Sequence, residues 1–296
     1  MDKIDMAIKR LQTASQMSLQ AYKQPLLLTY SGGKDSEVIL DIAQKAKIPF
    51  EVCNSHTTVD APQTVYHIRK RFKELEQKGI KAEILMPKLQ GKPVTMWTLI
   101  PIKMMPPTRL ARYCCQVLKE GAGDGRMVCT GVRWAESTKR KRRRAYEIVG
   151  KIEKNAIRFM DDNDDMKQLY NACQMRSKTI CNPIIDWSDE EVWDYLHEER
   201  IDTNILYNMG FKRIGCIGCP MANCRGREFE FSIFPTYKMA YIRAFGKMLE
   251  ERKRKGKDDI TGKWKDAESV FHWWMEDGFD ENQITLDQYM NEISED

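Results

Sequence analysis

The sequence predicts an α/β fold: a parallel, twisted sheet with helices on both faces, followed by a smaller, mainly helical C-terminal region. Short apolar runs typical of buried strands alternate with segments whose apolar residues recur at helical spacing, and this alternation stops near residue 206. The chain has 296 residues, 42% of them hydrophobic, which is enough for one α/β domain of about 200 residues with an appendage. We therefore expect one domain over 1–205 and a second over 206–296.

The strand-to-helix alternation is clearest at the start of the predicted sheet. Residues 25–30 read Pro-Leu-Leu-Leu-Thr-Tyr, an apolar run that indicates a buried strand. Beyond Ser36, apolar residues follow the spacing of a helix face. Further strands are expected near 49–54, 81–86 and 127–131.

Capping patterns and apolar spacing predict where several helices lie. Asp60 with Gln63, and Ser188 with Glu191, have the spacing of a capping box, so a helix is expected to begin at each place. Gly79 has the character of a C-terminal helix stop. Two more helices are expected in the C-terminal region, over 237–250 and 267–275.

The turn after the first predicted strand has the composition of a phosphate-binding loop. It reads Ser31-Gly32-Gly33-Lys34-Asp35-Ser36. The glycines let the backbone approach phosphate oxygens that a Cβ would block, and the N-terminus of the following helix directs its N–H groups at an anion. Serine hydroxyls and the lysine ammonium add further donors. We expect this loop to bind the phosphates of a nucleotide; the alternative is a glycine turn without a ligand.

Grouped cysteines form the second informative feature. Cys114 and Cys115 lie in a basic segment, 109–119, where positive charge stabilises thiolates. Cys216 and Cys219 form a Cys-x-x-Cys pair far downstream. The sequence shows neither a signal-peptide stretch nor an apolar run of about 18 residues, so we expect a cytoplasmic protein without membrane association. In that reducing compartment, grouped thiols bind metal more often than they form disulfides.

Four thiolates can hold a [4Fe–4S] cluster or a structural zinc ion. Adjacent cysteines are awkward ligands for tetrahedral zinc, which favours the iron–sulfur cluster, and a site without metal is the third alternative. The expected ligands are Cys114, Cys115, Cys216 and Cys219, with Cys224 as a substitute for one of them. Cys224 could instead be a free thiol that carries sulfur.

The phosphate loop resembles the PP-loop of the adenine nucleotide α-hydrolase-like superfamily, and the chain as a whole resembles the phosphoadenosine phosphosulfate (PAPS) reductase family within it. The cysteine arrangement is similar to the cluster motif of the iron–sulfur members. Four further segments carry the resemblance, in family order, between about residues 25 and 221. They are Thr57-Thr-Val-Asp-Ala-Pro-Gln-Thr64, Gly131-Val-Arg-Trp-Ala-Glu-Ser137 with Arg140, the stretch 182–195, and Gly210-Phe-Lys-Arg-Ile-Gly-Cys-Ile-Gly-Cys-Pro220.

The resemblance implies residue roles as well as the fold. Lys34, Asp35 and Arg133 are the implied catalytic residues, with ATP as the nucleotide and Mg²⁺ as its ion. Lys34 would neutralise departing pyrophosphate, and Asp35 would coordinate magnesium unless it only caps the helix. Arg133 and Arg140 would contact phosphates or the acceptor. Together with the loop residues Ser31 to Ser36, the implied nucleotide-binding residues are Thr57, Asp60, Gly131, Arg133 and Arg140.

One departure from the family bears on the reaction. Reductases of this family attack the sulfate with a cysteine near the C-terminus, whereas no cysteine follows Cys224 here. The resemblance therefore favours the superfamily's other chemistry, in which ATP is cleaved between its α and β phosphates and a substrate is adenylated for sulfur transfer. The matching branch is the ATP pyrophosphatases of DNA phosphorothioation systems, which are often iron–sulfur proteins and partners of a cysteine desulfurase.

Two alternatives stay open: a thiol-dependent reductase of adenylyl sulfate or its 3′-phosphate, and a non-catalytic, nucleotide-bound redox adaptor. The acceptor could be DNA, tRNA or a small molecule. Lys139 to Arg144 are six consecutive cations that could bind a nucleic-acid backbone or form a solvated loop. The expected partners are thus an adenine nucleotide, nucleic acid through Lys139 to Arg144, and a sulfur-donor protein such as a cysteine desulfurase.

Overall fold

The computed structural model describes residues 2–138, 140–149, 178–257 and 262–276. Its contacts divide the chain into two compact units. The first unit takes in 1–55, 62–85 and 122–214, and the second takes in 56–61, 86–121 and the residues from 215 onward. This grouping differs from the predicted division at residues 205 and 206, because the second unit includes two segments from the first half of the chain.

The bounds of the elements follow the predicted alternation. The strands are β1 (Leu26–Thr29), β2 (Phe50–Ser55), β3 (Ala82–Leu85), β4 (Lys88–Leu89), β5 (Lys92–Pro93), β6 (Met127–Cys129), β7 (Tyr146–Val149) and β8 (Lys178–Cys181). The helices are α1 (Lys3–Met17), α2 (Lys34–Lys45), α3 (Pro62–Gln77), α4 (Met96–Lys103), α5 (Tyr113–Leu118), α6 (Asp189–Glu198), α7 (Cys224–Ile233), α8 (Pro235–Arg254) and α9 (Ala267–Met275).

The first unit is built on a six-stranded sheet in the order β3-β2-β1-β6-β8-β7. Neighbouring strands run parallel except for β7, which is antiparallel to β8. The α/β class and the four predicted strands are confirmed, while β7 and β8 were not predicted. Side chains alternate along β1: Leu26 and Leu28 lie in the main core with α1, α2 and α3, and Leu27 packs with Cys53 and Val128 on the other face.

The two predicted capping boxes have different outcomes. At α6, the Ser188 hydroxyl accepts from the Glu191 N–H at 3.1 Å, and the Glu191 carboxylate accepts from the Ser188 N–H at 2.7 Å, so that box is confirmed. The box at Asp60 is wrong. The helix begins at Pro62, whose fixed φ suits the first helical position, and the buried Gln63 Oε1 has no hydrogen-bond partner among the described residues.

The second unit contains the β4–β5 hairpin and a helical group around an aromatic core. α8 and α9 confirm the two helices expected in the C-terminal region. α8 begins with proline at its first position, and α9 begins with a capping box between Asp266 and Ser269. Tyr241 and Phe231 lie in the aromatic core with Trp274. Among the described helices, none combines the length and hydropathy needed to cross a membrane.

Candidate nucleotide and thiol sites

The predicted phosphate loop lies in the first unit, between β1 and α2. Gly32 has a φ of +73°, and a Cβ there would lie 3.1 Å from the Ile68 Cγ1 of α3, so the turn requires glycine on both grounds. Gly33 is the N-cap of α2 and has extended backbone without a side-chain cap. Within the described residues, the N–H groups of Gly32, Gly33 and Asp35 have no protein acceptor. These donors at a helix N-terminus are suited to an anion.

Two cations and two carboxylates lie beside this loop. The Lys34 Nζ is 3.1 Å from the Asp189 Oδ1 and 3.4 Å from the Asp35 Oδ2. The Arg133 Nε donates to the Asp35 Oδ1 at 2.6 Å, and its Nη2 donates to the Asp189 Oδ1 at 2.5 Å. Gly131 makes the close approach feasible, since a Cβ there would lie only 3.0 Å from the Asp35 Cβ.

Arg133 is fully buried, and its remaining donor, Nη1, binds the Trp187 carbonyl at 3.2 Å. Burial alone would lower the pKa of Arg133, but the charges and hydrogen bonds of Asp35 and Asp189 raise it. All three guanidinium nitrogens thus bind protein atoms, and in this arrangement Arg133 positions Asp35 at the start of α2. A direct contact between Arg133 and a phosphate stays a prediction.

Asp189 was not predicted from the sequence. It is the first residue of α6, where an acidic residue is common in any helix because it complements the helix dipole, so its presence was no distinctive signal. Burial alone would raise the pKa of Asp189, but hydrogen bonds from Arg133 and Lys34 outweigh it and hold the pKa below the ordinary value. Asp189 therefore stays ionised and holds the two cations together at neutral pH.

Tyr207 is a second site residue that sequence reasoning missed. Its phenol oxygen accepts a hydrogen bond from the Lys34 N–H at 2.9 Å, and its ring packs edge-on against Trp193 with centroids 4.9 Å apart. No local sequence pattern indicates this contact, because the two partners are 173 residues apart.

The basic stretch is only partly described, since Lys139 lies outside the described residues. Arg140 pairs with the Glu136 carboxylate, and the Arg143 Nε donates to the Glu147 Oε2 at 2.5 Å. Lys141 and Arg142 are exposed. The contact of Arg140 with a nucleotide and that of the stretch with nucleic acid stay predictions.

The Cys-x-x-Cys turn lies in the second unit and is packed against the aromatic core. Gly218 has a φ of +70°, and a Cβ there would lie 2.5 Å from the Phe231 Cζ and 3.0 Å from the Tyr241 Cε2. The Gly218 N–H donates to the Glu230 carboxylate at 2.7 Å, and the Tyr241 hydroxyl donates to the Ile217 carbonyl at 3.0 Å. The peptide group between Ile217 and Gly218 therefore has both its N–H and its carbonyl bound by side chains of the second unit.

The structure brings the four predicted thiols into one electrostatic group within the second unit. A hydrogen bond with Cys115 raises the pKa of Cys114 most, and burial and the charges of Cys216 and Cys219 add to this. The same hydrogen bond, with help from Arg112, lowers the pKa of Cys115 to about 5. The Arg112 Nη2 lies 3.4 Å from the Cys115 Sγ. Cys115 is thus the group's most stable thiolate.

Lys119 and two predicted nucleotide ligands also lie with the cysteines. The charge of Cys216 is the main cause that raises the pKa of Lys119, ahead of Asp60. Asp60 forms a backbone bridge with Cys216, and its carboxylate accepts from the Thr57 N–H at 2.9 Å. The structure therefore places Thr57 and Asp60 in the unit of the cysteine group. Cys224 begins α7, where its thiol donates to Glu228 at 3.5 Å.

The chemistry of these donors can be compared with the expected metal groups. A single zinc ion needs its thiolates within about 2.3 Å of one point. In the described part of the chain, no three His, Cys, Asp or Glu side chains are arranged so that they could hold a metal ion. A [4Fe–4S] cluster binds each thiolate to a different iron, so its ligands do not converge on one point. Four grouped thiols flanked by Arg112 and Lys119 fit a cluster in donor type and in charge.

The similarity to known proteins decides the family. The model of the phosphoadenosine phosphosulfate reductase domain matches residues 25–222, well over half of the chain. The chain belongs to this family. The match confirms the family that the sequence resembles, and it includes both the phosphate loop and the Cys-x-x-Cys turn.

The individual relatives have low sequence identity to this chain. An uncharacterised protein of Methanocaldococcus jannaschii is 28% identical over 240 residues, which cover 80% of this chain and 50% of the relative, so the chain spans half of its length. The adenosine 5'-phosphosulfate reductase of Staphylococcus epidermidis is 21% identical over 205 residues, covering 68% and 72%. Among solved structures, the U34-tRNA thiolase NcsA of Methanococcus maripaludis with its [4Fe-4S] cluster has a TM-score of 0.43 at 13% identity, covering 85% of this chain and 80% of that one.

Proposed function

We propose that this member of the PAPS reductase family is an ATP pyrophosphatase that adenylates a substrate for sulfur transfer. DNA phosphorothioate modification is the pathway we favour. The observation that carries the proposal is a set of three N–H donors at the start of α2, those of Gly32, Gly33 and Asp35, for which the described residues supply no acceptor. Pyrophosphate oxygens are acceptors of matching charge, and the Lys34 ammonium lies on the same turn.

In the proposed reaction, an oxygen of the acceptor attacks the α-phosphorus of ATP. The new bond joins acceptor and adenylate, and the bond between the α-phosphorus and the bridging oxygen to the β-phosphate breaks, so pyrophosphate leaves with that electron pair. The loop N–H groups would hold the leaving phosphates, and Lys34 would neutralise their charge. Mg²⁺ bound at Asp35 would supply further charge neutralisation, and Arg133 keeps that carboxylate in place.

The cysteine group would hold the iron–sulfur cluster of the proposed enzyme. Cys114, Cys115, Cys216 and Cys219 are the proposed ligands, and the cluster would supply a site for sulfur or electron exchange. Lys119 and Arg112 balance the thiolates' negative charge. A cysteine desulfurase is the proposed sulfur donor, and the described cations from Arg140 to Arg144 are the proposed contact to a nucleic-acid acceptor.

Labelled ATP tests the nucleotide part of the proposal. We expect the purified protein to release pyrophosphate and form AMP or an adenylated acceptor, and Lys34→Met to lose this activity while keeping its fold. Lys45→Met is the matched control, because Lys45 lies at the other end of α2 and pairs with Asp41 and Glu199. Pyrophosphate release that survives Lys34→Met, or that falls equally in the control, contradicts the proposal. An adaptor would keep its cellular role in both variants.

Anaerobic purification with iron and sulfide analysis tests the cluster. We expect Cys216→Ser to lose iron and sulfide, and Cys53→Ser, a buried cysteine of β2 in the first unit, to retain both. A protein that contains zinc, or no metal, would remove the iron–sulfur part and leave the nucleotide part standing.

A second candidate, reduction of a sulfonucleotide, is favoured by the curated relatives named adenosine 5'-phosphosulfate reductase. Its signature would be sulfite release from adenylyl sulfate with consumption of a dithiol. Sulfite release without pyrophosphate release from ATP would establish this reaction in place of the first.

A further inference from the structure

The phosphate loop already has one of its N–H donors occupied by a side chain. Lys34 is the first residue of α2, and its N–H donates to the Tyr207 phenol oxygen at 2.9 Å. The first N–H groups of a helix have no partner within the helix and are the ones that an anion would accept from. The phenol oxygen therefore stands where an oxygen of a bound phosphate would lie.

The position of the phenol over the loop supports this reading. A Cβ built on Gly33 would lie 3.4 Å from the Tyr207 hydroxyl oxygen, so the hydroxyl covers the face that the missing side chain leaves open. An incoming phosphate that approaches the backbone at Gly33 must use the same space. The hydroxyl and the phosphate thus compete for one place as well as for one donor.

The backbone around Tyr207 is anchored to the loop through Asn204. Asn204 caps the short turn Ile205–Tyr207, and its side-chain amide donates to the Gly32 carbonyl at 3.4 Å and to the Thr64 hydroxyl at 3.0 Å. The ring itself is held by the edge-on contact with Trp193, a contact whose strength is small enough to be exchanged for another.

The stronger hydrogen bond that a phosphate oxygen accepts favours displacement of the phenol, although the carboxylates of Asp35, Glu37 and Asp189 oppose an anion at this position. Burial, and next the carboxylate charges of Asp35, Glu37 and Asp189, raise the pKa of Tyr207 above its ordinary value, although the hydrogen bond from the Lys34 N–H opposes this. The phenol is accordingly neutral at physiological pH. A neutral oxygen is a weaker acceptor than a phosphate oxygen, because charge-assisted hydrogen bonds are about twice as strong as neutral ones.

We propose that Tyr207 is a placeholder for phosphate: it occupies the Lys34 N–H in the free protein and releases it when the phosphate group of a nucleotide binds. The inference rests on the proposed function, because it presumes that phosphates bind at this loop. It assigns to Tyr207 a regulatory role in which ligand binding and the position of one aromatic ring are coupled.

Calorimetric titration with inorganic pyrophosphate tests the placeholder. Tyr207→Phe keeps the ring and its contact with Trp193 but removes the competing oxygen, so we expect the dissociation constant to fall about threefold to tenfold, the equivalent of one net hydrogen bond. Tyr195→Phe is the matched control. It removes a hydroxyl that binds Asp41 and Lys45 at the far end of α2, and we expect wild-type affinity.

Tryptophan emission supplies an independent readout of the ring's movement. Pyrophosphate should change the emission of the wild-type protein, and Trp193→Phe should remove that change while pyrophosphate still binds. Unchanged or weaker binding by Tyr207→Phe overturns the placeholder, since the phenol would then be inert or a donor to the ligand.

The two proposals can fail separately. Normal pyrophosphate binding by the wild type and by both tyrosine variants, with equal affinities, refutes the placeholder alone. Tighter binding by Tyr207→Phe in a protein that forms no AMP refutes the ATP pyrophosphatase reaction alone. No binding by any of the three proteins at millimolar pyrophosphate refutes both.

Discussion

Replacing Gly218 by alanine should destabilise the second unit more than an ordinary glycine substitution does. Gly218 has a φ of +70°, and the new Cβ would lie 2.5 Å from the Phe231 Cζ. The left-handed backbone costs an alanine about 1–2 kcal/mol. Forcing a methyl group into a packed core adds about 1–3 kcal/mol. The expected loss in the free energy of unfolding is therefore about 2–5 kcal/mol.

Gly256 offers a matched control in the same unit. Its φ is +66°, close to that of Gly218, but no atom of the described residues lies within 4 Å of the position of its Cβ. Gly256→Ala should therefore show only the backbone cost of about 1–2 kcal/mol. The difference between the two variants isolates the clash with the aromatic core.

Urea unfolding followed by tryptophan emission measures both losses, because Trp264, Trp273 and Trp274 lie in this unit. Equal destabilisation by the two alanines would refute the reasoning, because it would mean that the aromatic rings move away from the new methyl group at no cost in the free energy of unfolding. A difference of about 1–3 kcal/mol would support it.

Two further predictions concern the first unit. The lowered pKa of Asp189 means that its stabilisation is present above the ordinary carboxyl pKa of about 4 and is lost as pH falls through the lower, folded-state pKa. Urea unfolding should thus find Asp189→Asn less stable than wild type by about 0.5–1 kcal/mol at neutral pH, because the pair of Asp189 with Arg133 is partly exposed. This difference in the free energy of unfolding should disappear in strong acid. A difference that persists there contradicts the lowered pKa of Asp189. Glu37 is fully buried and accepts from Arg71 at 2.9 Å, so Glu37→Gln should cost about 2–4 kcal/mol by the same measurement. Glu74→Gln, which removes the exposed partner of Arg71, should cost less than about 1 kcal/mol, and equal losses would count against the buried pair.

Local patterns accounted for much of the fold. The strand, loop and helix around residues 25–45 were predictable because apolar spacing, two glycines and a helix start all lie within a short stretch. The capping box at Ser188 was predictable for the same reason. The box at Asp60 was wrong because the rigid ring of Pro62 sets the helix start, and Gln63 then lies too near that start to reach back.

Partners that are distant in sequence could not be predicted. β7 pairs antiparallel with β8, and the 28 residues between them, 150–177, lie outside the described part. The four residues of β7, Tyr-Glu-Ile-Val, do not indicate whether the strand runs parallel or antiparallel to its neighbour. Asp189 and Tyr207 lie beside the phosphate loop only once the sheet and α6 have folded, because both are distant from the loop in sequence. The grouping of Cys114 and Cys115 with the Cys-x-x-Cys turn was expected from a resemblance to a family motif, because spacing alone does not bring such distant segments together.

The discontinuous make-up of the second unit affects how the chain folds during synthesis. Its segments 56–61 and 86–121 are translated well before residue 215, where its main part begins. At bacterial to eukaryotic translation speeds of roughly 5–20 residues per second, Cys114 and Cys115 leave the ribosome about 5–20 s before Cys216. During that interval Cys114 and Cys115 are present without Cys216 and Cys219, and they can react with an oxidant or bind another metal ion. Assembly of the proposed cluster would therefore have to wait until Cys216 and Cys219 have been translated.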